Sequence, residues 1–187
     1  MLPDPMTSSI EDLEAALATA SFADKLAWQR ATMNKAAMAR LYELAEGRDV
    51  GPEFFLGSDG APLVWEGKNS MGMFNLFKKS FASHQDRIQG WNVNDGIAAW
   101  FGGPGHFRVI PDGGQHGDQL VFDYCWEVDS VPAGFPPVAS NLKFPYKLVY
   151  GNMRDVVRKI SDDFIVSAAY RNGKPEGVYF SLLKSAS

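Results

Sequence analysis

Cysteine is nearly absent from this chain. Cys125 is the one thiol in 187 residues, which excludes an internal disulfide and fits a reducing compartment such as the cytoplasm. Basic clusters are missing as well. Lys78-Lys79 is the longest positive run, and the net charge is −4 with a pI near 5.3. A nucleic-acid surface needs a basic face to neutralise phosphates, so that class of partner is excluded. No apolar stretch has the length of a bilayer span. The start, MLPDPMTSSIEDLE, is acidic and Pro-containing, the opposite of a secretory leader. Metal-ligand spacings (HxH, HExxH, paired Cys and His) do not occur. GxSxG is absent, and Gly102-Gly103-Pro104-Gly105 lacks the following helix that phosphate binding requires. The expectation is a cytoplasmic protein with no cofactor, no nucleic-acid partner and no membrane anchor.

Aromatic residues, by contrast, are plentiful: thirteen Phe, six Tyr and five Trp in a chain that is 45% apolar. That composition belongs to a folded protein rather than a disordered one, and it supplies rings enough to fill a core or to line a cavity.

Two grammars divide the chain. Residues 1–48 read as helical. Ser8 with Glu11 makes a capping box ahead of a short helix over about 9–19. Ser21 with Asp24 opens a longer helix carrying Leu26, Met33, Ala37, Leu41 and Leu44 until Gly47 stops it. Its narrow, Ala-rich stripe suits packing against another surface. From Val50 onward Gly and Pro become frequent, and β-rich runs alternate with turn signals. Strands are expected near 62–67, 86–93, 97–101, 106–111, 119–128, 146–151, 153–160, 163–170 and 177–184. Turn chemistry marks Asn94-Asp95-Gly96, Pro111 to Gly114, Ser161 to Asp163, and Arg171-Asn172-Gly173. Met73, Phe74, Phe77 and Phe81 have the spacing of a helix between the first two strands. The Pro-rich connection from Ser130 to Pro145 is a candidate lid or binding loop. The division predicted is a helical segment, 1–48, packed on a β-barrel domain, 49–187.

Eight or nine strands in meander order are too many for an open sheet with two exposed edges, and closure into a barrel removes those edges. The fold class is therefore mainly β, α+β overall. An alternative is the cone-shaped α+β barrel of the ketosteroid isomerase and nuclear transport factor type, which uses fewer strands. Short motifs carry a resemblance to the calycins, the group containing lipocalins. Leu63-Val64-Trp65-Glu66-Gly67-Lys68 is similar to the lipocalin opening motif, with Leu63 where a glycine stands in the family. Phe122-Asp123-Tyr124 is similar to the later Thr-Asp-Tyr motif, with Phe in place of Thr. The resemblance covers about residues 61–184. It implies a lipocalin-like barrel around a small-molecule pocket, with Trp65 plugging the floor and Arg154 as the late arginine that packs across it. It does not imply catalysis.

The run from Val121 to Val128 is the most informative. In period-2 alternation Phe122, Tyr124 and Trp126 share one face, and Asp123, Cys125 and Glu127 share the other. Rings inward would line a pocket and leave the carboxylates to solvent. Asp123 inward would place a carboxyl group in an apolar cavity, where desolvation raises its pKa and suits it to general acid–base work. The strand near 106–110 brings His106 or Arg108 within reach of Asp123 or Glu127. The result is either an acid–base pair or an ion pair outside the barrel.

The functional expectation is a cofactor-independent lyase, isomerase or ring-opening enzyme acting on a small apolar molecule, such as a terpenoid, an aromatic or a polyketide-like compound. Asp123, His106 and Arg108 are the catalytic candidates. Tyr124, Trp126, Trp65, Trp91, Tyr150 and Arg154 are the ligand-binding candidates. The alternative is a non-catalytic carrier or sensor of a hydrophobic ligand such as haem, with His106 as the candidate iron ligand.

Overall fold

Apolar residues recur at every second position from Leu63, and the chain follows them into strands. The computed structural model describes residues 1–58, 61–72, 75–93 and 103–185. Eight strands are described: β1 (Leu63–Asn69), β2 (Leu76–His84), β3 (Arg87–Val93), β4 (Phe107–Pro111), β5 (Leu120–Asp123), β6 (Met153–Ser161), β7 (Phe164–Arg171) and β8 (Lys174–Lys184). Each pairs antiparallel with the next, and β1 also pairs with β8, so the sheet closes into a barrel in sequence order. Closure leaves no unpaired sheet edge among the described strands.

Inward and outward positions alternate along the strands, interrupted by irregularities near Lys159–Ser161 and Ala168–Tyr170. Trp65, Phe81, Phe107, Phe122, Ile165 and Leu182 belong to the core inside the barrel. Glycine makes room for some of these rings. A β-carbon at Gly90 would lie 2.3 Å from Cζ of Phe107.

The outer face of β5–β8 is apolar as well: Val121, Val156, Phe164, Val166 and Leu183 join a second core with three helices. These are α1 (Ile10–Thr19), α2 (Phe22–Thr32) and α3 (Lys35–Leu44). Polar pins fix the layer. Buried Gln29 donates to the carbonyls of Glu66 and Ser181 and to the Ser181 hydroxyl. Arg158 donates to the Tyr42 carbonyl at 2.6 Å and lies 4.0 Å above the Tyr42 ring. Among the described residues no helix is long and apolar enough to cross a membrane.

Several expectations need correction. The first cap is Ser9, which accepts from the Asp12 amide, rather than Ser8 with Glu11. Ser21 caps α2 as expected, but the long helix breaks after Thr32 because Asn34 caps a new one. The expected helix around Phe77 and Phe81 is strand β2 from Leu76 on. A spacing of four satisfies period 2 as well as period 3.6, so the Phe spacing was ambiguous. β5 ends at Asp123, whose carboxylate accepts the Cys125 amide and turns the chain out of the ladder. The expected strand over 146–151 is instead a single helical turn, α4 (Lys147–Tyr150), following Pro145. The expected strand 97–101 and the Asn94-Asp95-Gly96 turn lie outside the described residues.

Candidate functional site

The two ends of the barrel differ. At one end the connections are short: Gln85-Asp86, with φ of 50° and 58°, joins β2 to β3, and Asp162-Asp163 joins β6 to β7. The 3₁₀ turn Pro52–Phe55 enters the barrel here, with Phe55 stacked 4.8 Å from Phe81 and 5.4 Å from Trp65. This end is filled by rings. The other end carries the long β5–β6 connection and α4.

Between the ring-filled floor and that open end begins a recess that continues over the barrel rim to Arg30, Glu66 and Lys78, about 680 Å³ in all, which leaves room for one small ligand. Phe77, Phe180 and Met153 line it, and Met71, Leu76, Leu148 and Val149, all exposed, mark its mouth. Three inward positions in its wall are polar: Lys79 on β2, Asn92 on β3 and Asp155 on β6. Strand pairing explains their meeting. Lys79 is the direct partner of Asn92 across β2–β3, and Asp155 is the partner of Phe122, two residues before Tyr124.

Lys79 and Asp155 are each 3% exposed. The Lys79 ammonium donates to Asn92 Oδ1 at 2.6 Å and to the Tyr124 hydroxyl. The Asp155 carboxyl lies close enough for its charge to act on both the Tyr124 phenol and the Lys79 ammonium. Amine, phenol and acid thus form one buried group. Asn92 Nδ2 donates to the Tyr150 hydroxyl at 3.1 Å, and the Tyr150 ring stacks on Tyr124 with centroids 5.0 Å apart. Around Lys79 Nζ stand the rings of Phe107, Phe180 and Tyr124, at 4.7, 5.1 and 5.2 Å to their centroids.

Burial sets the protonation of this group. Desolvation pushes the Lys79 ammonium below the ordinary lysine range, against the pull of Asp155. Desolvation pushes the Asp155 carboxyl above the ordinary carboxylate range, against the pull of Lys79. Tyr124 is held well above the usual phenol value by burial and by the neighbouring negative charge, so it stays protonated and able to donate. A weakened acid and a weakened base, with a hydroxyl beside them, form a unit that can exchange protons with a bound molecule near neutral pH. Lys79 has three N–H donors; two go to Asn92 and Tyr124, which leaves one for a ligand.

The strand Leu120–Asp123 turns its rings inward. Asp123 lies on the outer face, buried, and is gripped from both neighbouring strands. Arg108 donates through Nε at 2.9 Å and Nη2 at 2.8 Å, and Arg154 through Nε at 3.3 Å. Both arginines are its direct cross-strand partners. Arg154 also pairs with Asp112 at 3.0 Å. The structure thus brings Arg108 and Asp123 together as a three-strand clamp, away from the cavity. His106 is buried against the Pro137 carbonyl at 3.2 Å and does not line the cavity either.

Among the ligand-binding candidates, Tyr124 and Tyr150 line the cavity and Trp65 lies in the ring cluster of the floor. Trp91 packs on Phe135, and Trp126 lies under Arg87; neither is among the lining residues. Arg154 does not cross Trp65, since the clamp holds it outside; the cation over that ring is Lys184, at 6.0 Å. Lys79 and Asp155 were missed by sequence reasoning. The available signal was parity: in KSF and RDVV each occupies an inward position of an otherwise apolar alternation.

Among the described residues no group of His, Cys, Asp and Glu side chains could hold a metal ion. A second recess, about 300 Å³, lies on the outside near Asp112, His116, Cys125 and Arg154, where the clamp already pairs the charges. Fold and site together define an eight-stranded antiparallel barrel with a buried Lys–Tyr–Asp group in its cavity. Comparison with protein-family models, curated proteins and solved structures gave no match.

Proposed function

We propose that this chain is a cofactor-independent enzyme of lyase, isomerase or ring-opening type, which moves a proton to or from a small hydrophobic molecule held in a lipocalin-like barrel. The observation that carries this reading is the buried group of Lys79, Tyr124 and Asp155, set beside Phe77, Met153 and Phe180 in the cavity wall. A site that only stored an apolar ligand would gain nothing from burying two ionisable groups, since desolvating them is unfavourable. Asp155 is the proton acceptor, Tyr124 relays, and Lys79 stabilises negative charge that develops on the ligand. The cavity size and its rings favour a terpenoid, aromatic or polyketide-like molecule.

A carbon acid without a carbonyl group tests the reading: 2-phenylnitroethane in deuterated buffer, followed by NMR. The wild-type protein is expected to accelerate exchange at the carbon beside the nitro group. Asp155→Asn is expected to remove about 10²-fold or more of that acceleration, the usual contribution of a positioned base. Binding of the apolar dye anilinonaphthalene sulfonate serves as the control for an intact cavity. Dye binding with no accelerated exchange would overturn the enzyme reading and leave a carrier.

A further inference from the structure

We infer that Lys79 is an amine nucleophile that forms an imine with the carbonyl carbon of an apolar aldehyde or ketone, which makes carbonyl compounds the substrate class of the barrel. The inference rests on the cavity being a site of chemistry, as proposed above, and adds a covalent step to it.

Three observations carry it. Lys79 points into the cavity from the middle of β2, above the ring-filled floor, with Asn92 and Tyr124 holding its nitrogen in place. Two of the three N–H directions are occupied, so loss of the third proton frees a lone pair on a nitrogen that lines the recess. The residue is also lysine where arginine would serve better as a permanent cation. A guanidinium keeps its charge when buried, whereas an ammonium among apolar side chains gives up its proton. Burial lowers the Lys79 value in that sense, and desolvated lysines are the usual imine formers. Finally, the rings of Phe107, Tyr124 and Phe180 around Nζ stabilise a cation at that position. The iminium formed there carries the same single charge as the ammonium it replaces.

The step balances with the groups present. Asp155, through Tyr124, takes one proton from the ammonium. The freed lone pair attacks the carbonyl carbon, the C–N bond forms, and the C=O π pair moves to oxygen. A proton passes from nitrogen to that oxygen, giving a carbinolamine. Asp155 returns its proton to the hydroxyl, the C–O bond breaks, and water leaves as nitrogen closes the C=N bond. One ammonium and one carbonyl become one iminium and one water, with no oxidant or reductant.

The test is reductive trapping on the full chain. Cinnamaldehyde, an aromatic aldehyde of suitable size, is added with sodium cyanoborohydride, and the modified lysine is located by peptide mass spectrometry. Lys79 is expected to be labelled on the order of tenfold faster than any surface lysine, such as Lys143 or Lys147. Acetophenone, an apolar ketone competing for the cavity, is expected to slow the reaction at Lys79 alone. The charged aldehyde glyoxylate is expected to leave Lys79 untouched. Labelling spread over surface lysines with Lys79 unreactive overturns the inference, and the mapping on wild-type protein does not depend on any variant folding. If 2-phenylnitroethane exchange still depends on Asp155 in that case, acid–base chemistry stands and only the covalent step falls. If cinnamaldehyde labels Lys79 while exchange is absent, the imine stands and the general-base role falls.

Discussion

Lys79 and Asp155 are the two residues whose position is hardest to explain by folding alone. Removing one of a buried charged pair strands the other, whereas replacing both with matching neutral groups is often neutral or stabilising. Lys79→Met and Asp155→Asn are each expected to lower the unfolding free energy, by about 3 kcal/mol for Lys79→Met. The double variant is expected to recover stability to wild-type level or above in chemical denaturation, while losing proton exchange. A double variant less stable than either single one would show the pair to be structural. The pH dependence follows from the directions of the shifts. Asp155 binds its proton more tightly folded than unfolded, so its contribution to stability is lost as pH rises from the ordinary carboxylate range through its raised value. Lys79 binds its proton less tightly folded, so stability from that group recovers as pH rises from its lowered value towards the ordinary lysine range. Wild type is therefore expected to show a shallow dip in melting temperature between those windows, and the double variant none. Neither residue stood out in the sequence, because Lys78-Lys79 reads as ordinary surface and Asp155 sits in a run of alternating charge, Arg154-Asp155-Val156-Val157-Arg158. Only the barrel's parity separates Lys79, inward beside Trp65, from Lys78, half-exposed and paired with Glu66 at 2.7 Å on the outer face.

At the scale of elements, the strands with turn chemistry were legible and those without it were not. Arg171-Asn172-Gly173 announces its hairpin, with Asn172 and Gly173 both at positive φ, whereas Gln85-Asp86 makes the same kind of turn without a glycine to mark it. The capping serines and the apolar alternation gave most of the remaining elements. The tyrosine-rich segment 146–151 misled because a short apolar run fits strand and helix alike. Of the two alternatives for this run, rings inward is the one found at Phe122 and Tyr124, which removes Asp123 from the cavity. Asp123 could not be placed from alternation alone, because the sequence does not say that two arginines wait on adjacent strands. The mouth depends on a loop glycine: Gly105 has φ of 48°, and a β-carbon there would sit 2.4 Å from Tyr150 Cζ and 2.5 Å from Asn92 Nδ2. Gly105→Ala is expected to cost about 1–2 kcal/mol through backbone strain. It is also expected to weaken dye binding several-fold by displacing Tyr150, read by fluorescence titration. The helical layer has a separate role. Deleting residues 1–48 uncovers Val121, Val156, Phe164, Val166 and Leu183, so the truncated chain is expected to aggregate; a soluble, ligand-binding barrel would point to a partner-binding role for the helices.

Taken whole, the molecule segregates two kinds of buried charge. The outer clamp of Arg108, Asp123 and Arg154 ties β4, β5 and β6 together, and the inner group of Lys79, Tyr124 and Asp155 faces the ligand space. β5 and β6 contribute to both: Asp123 and Arg154 face out, and Tyr124, just past the end of β5, and Asp155 follow them by one residue and face in. The sequence made the outer carboxylate conspicuous and hid the inner one. The pH profile of proton exchange into 2-phenylnitroethane, in which Lys79 acts as a cation, is expected to be bell-shaped, rising above the ordinary carboxylate range as Asp155 ionises and falling below the ordinary lysine range as Lys79 loses its proton. The most direct measurement is deuterium exchange into 2-phenylnitroethane by Asp155→Asn and Asp123→Asn side by side, with rates expressed per folded molecule. Loss of exchange in Asp155→Asn with a near wild-type rate in Asp123→Asn is the expected result. Exchange that survives Asp155→Asn and disappears with Asp123→Asn would contradict the cavity assignment and return the chemistry to the outer face.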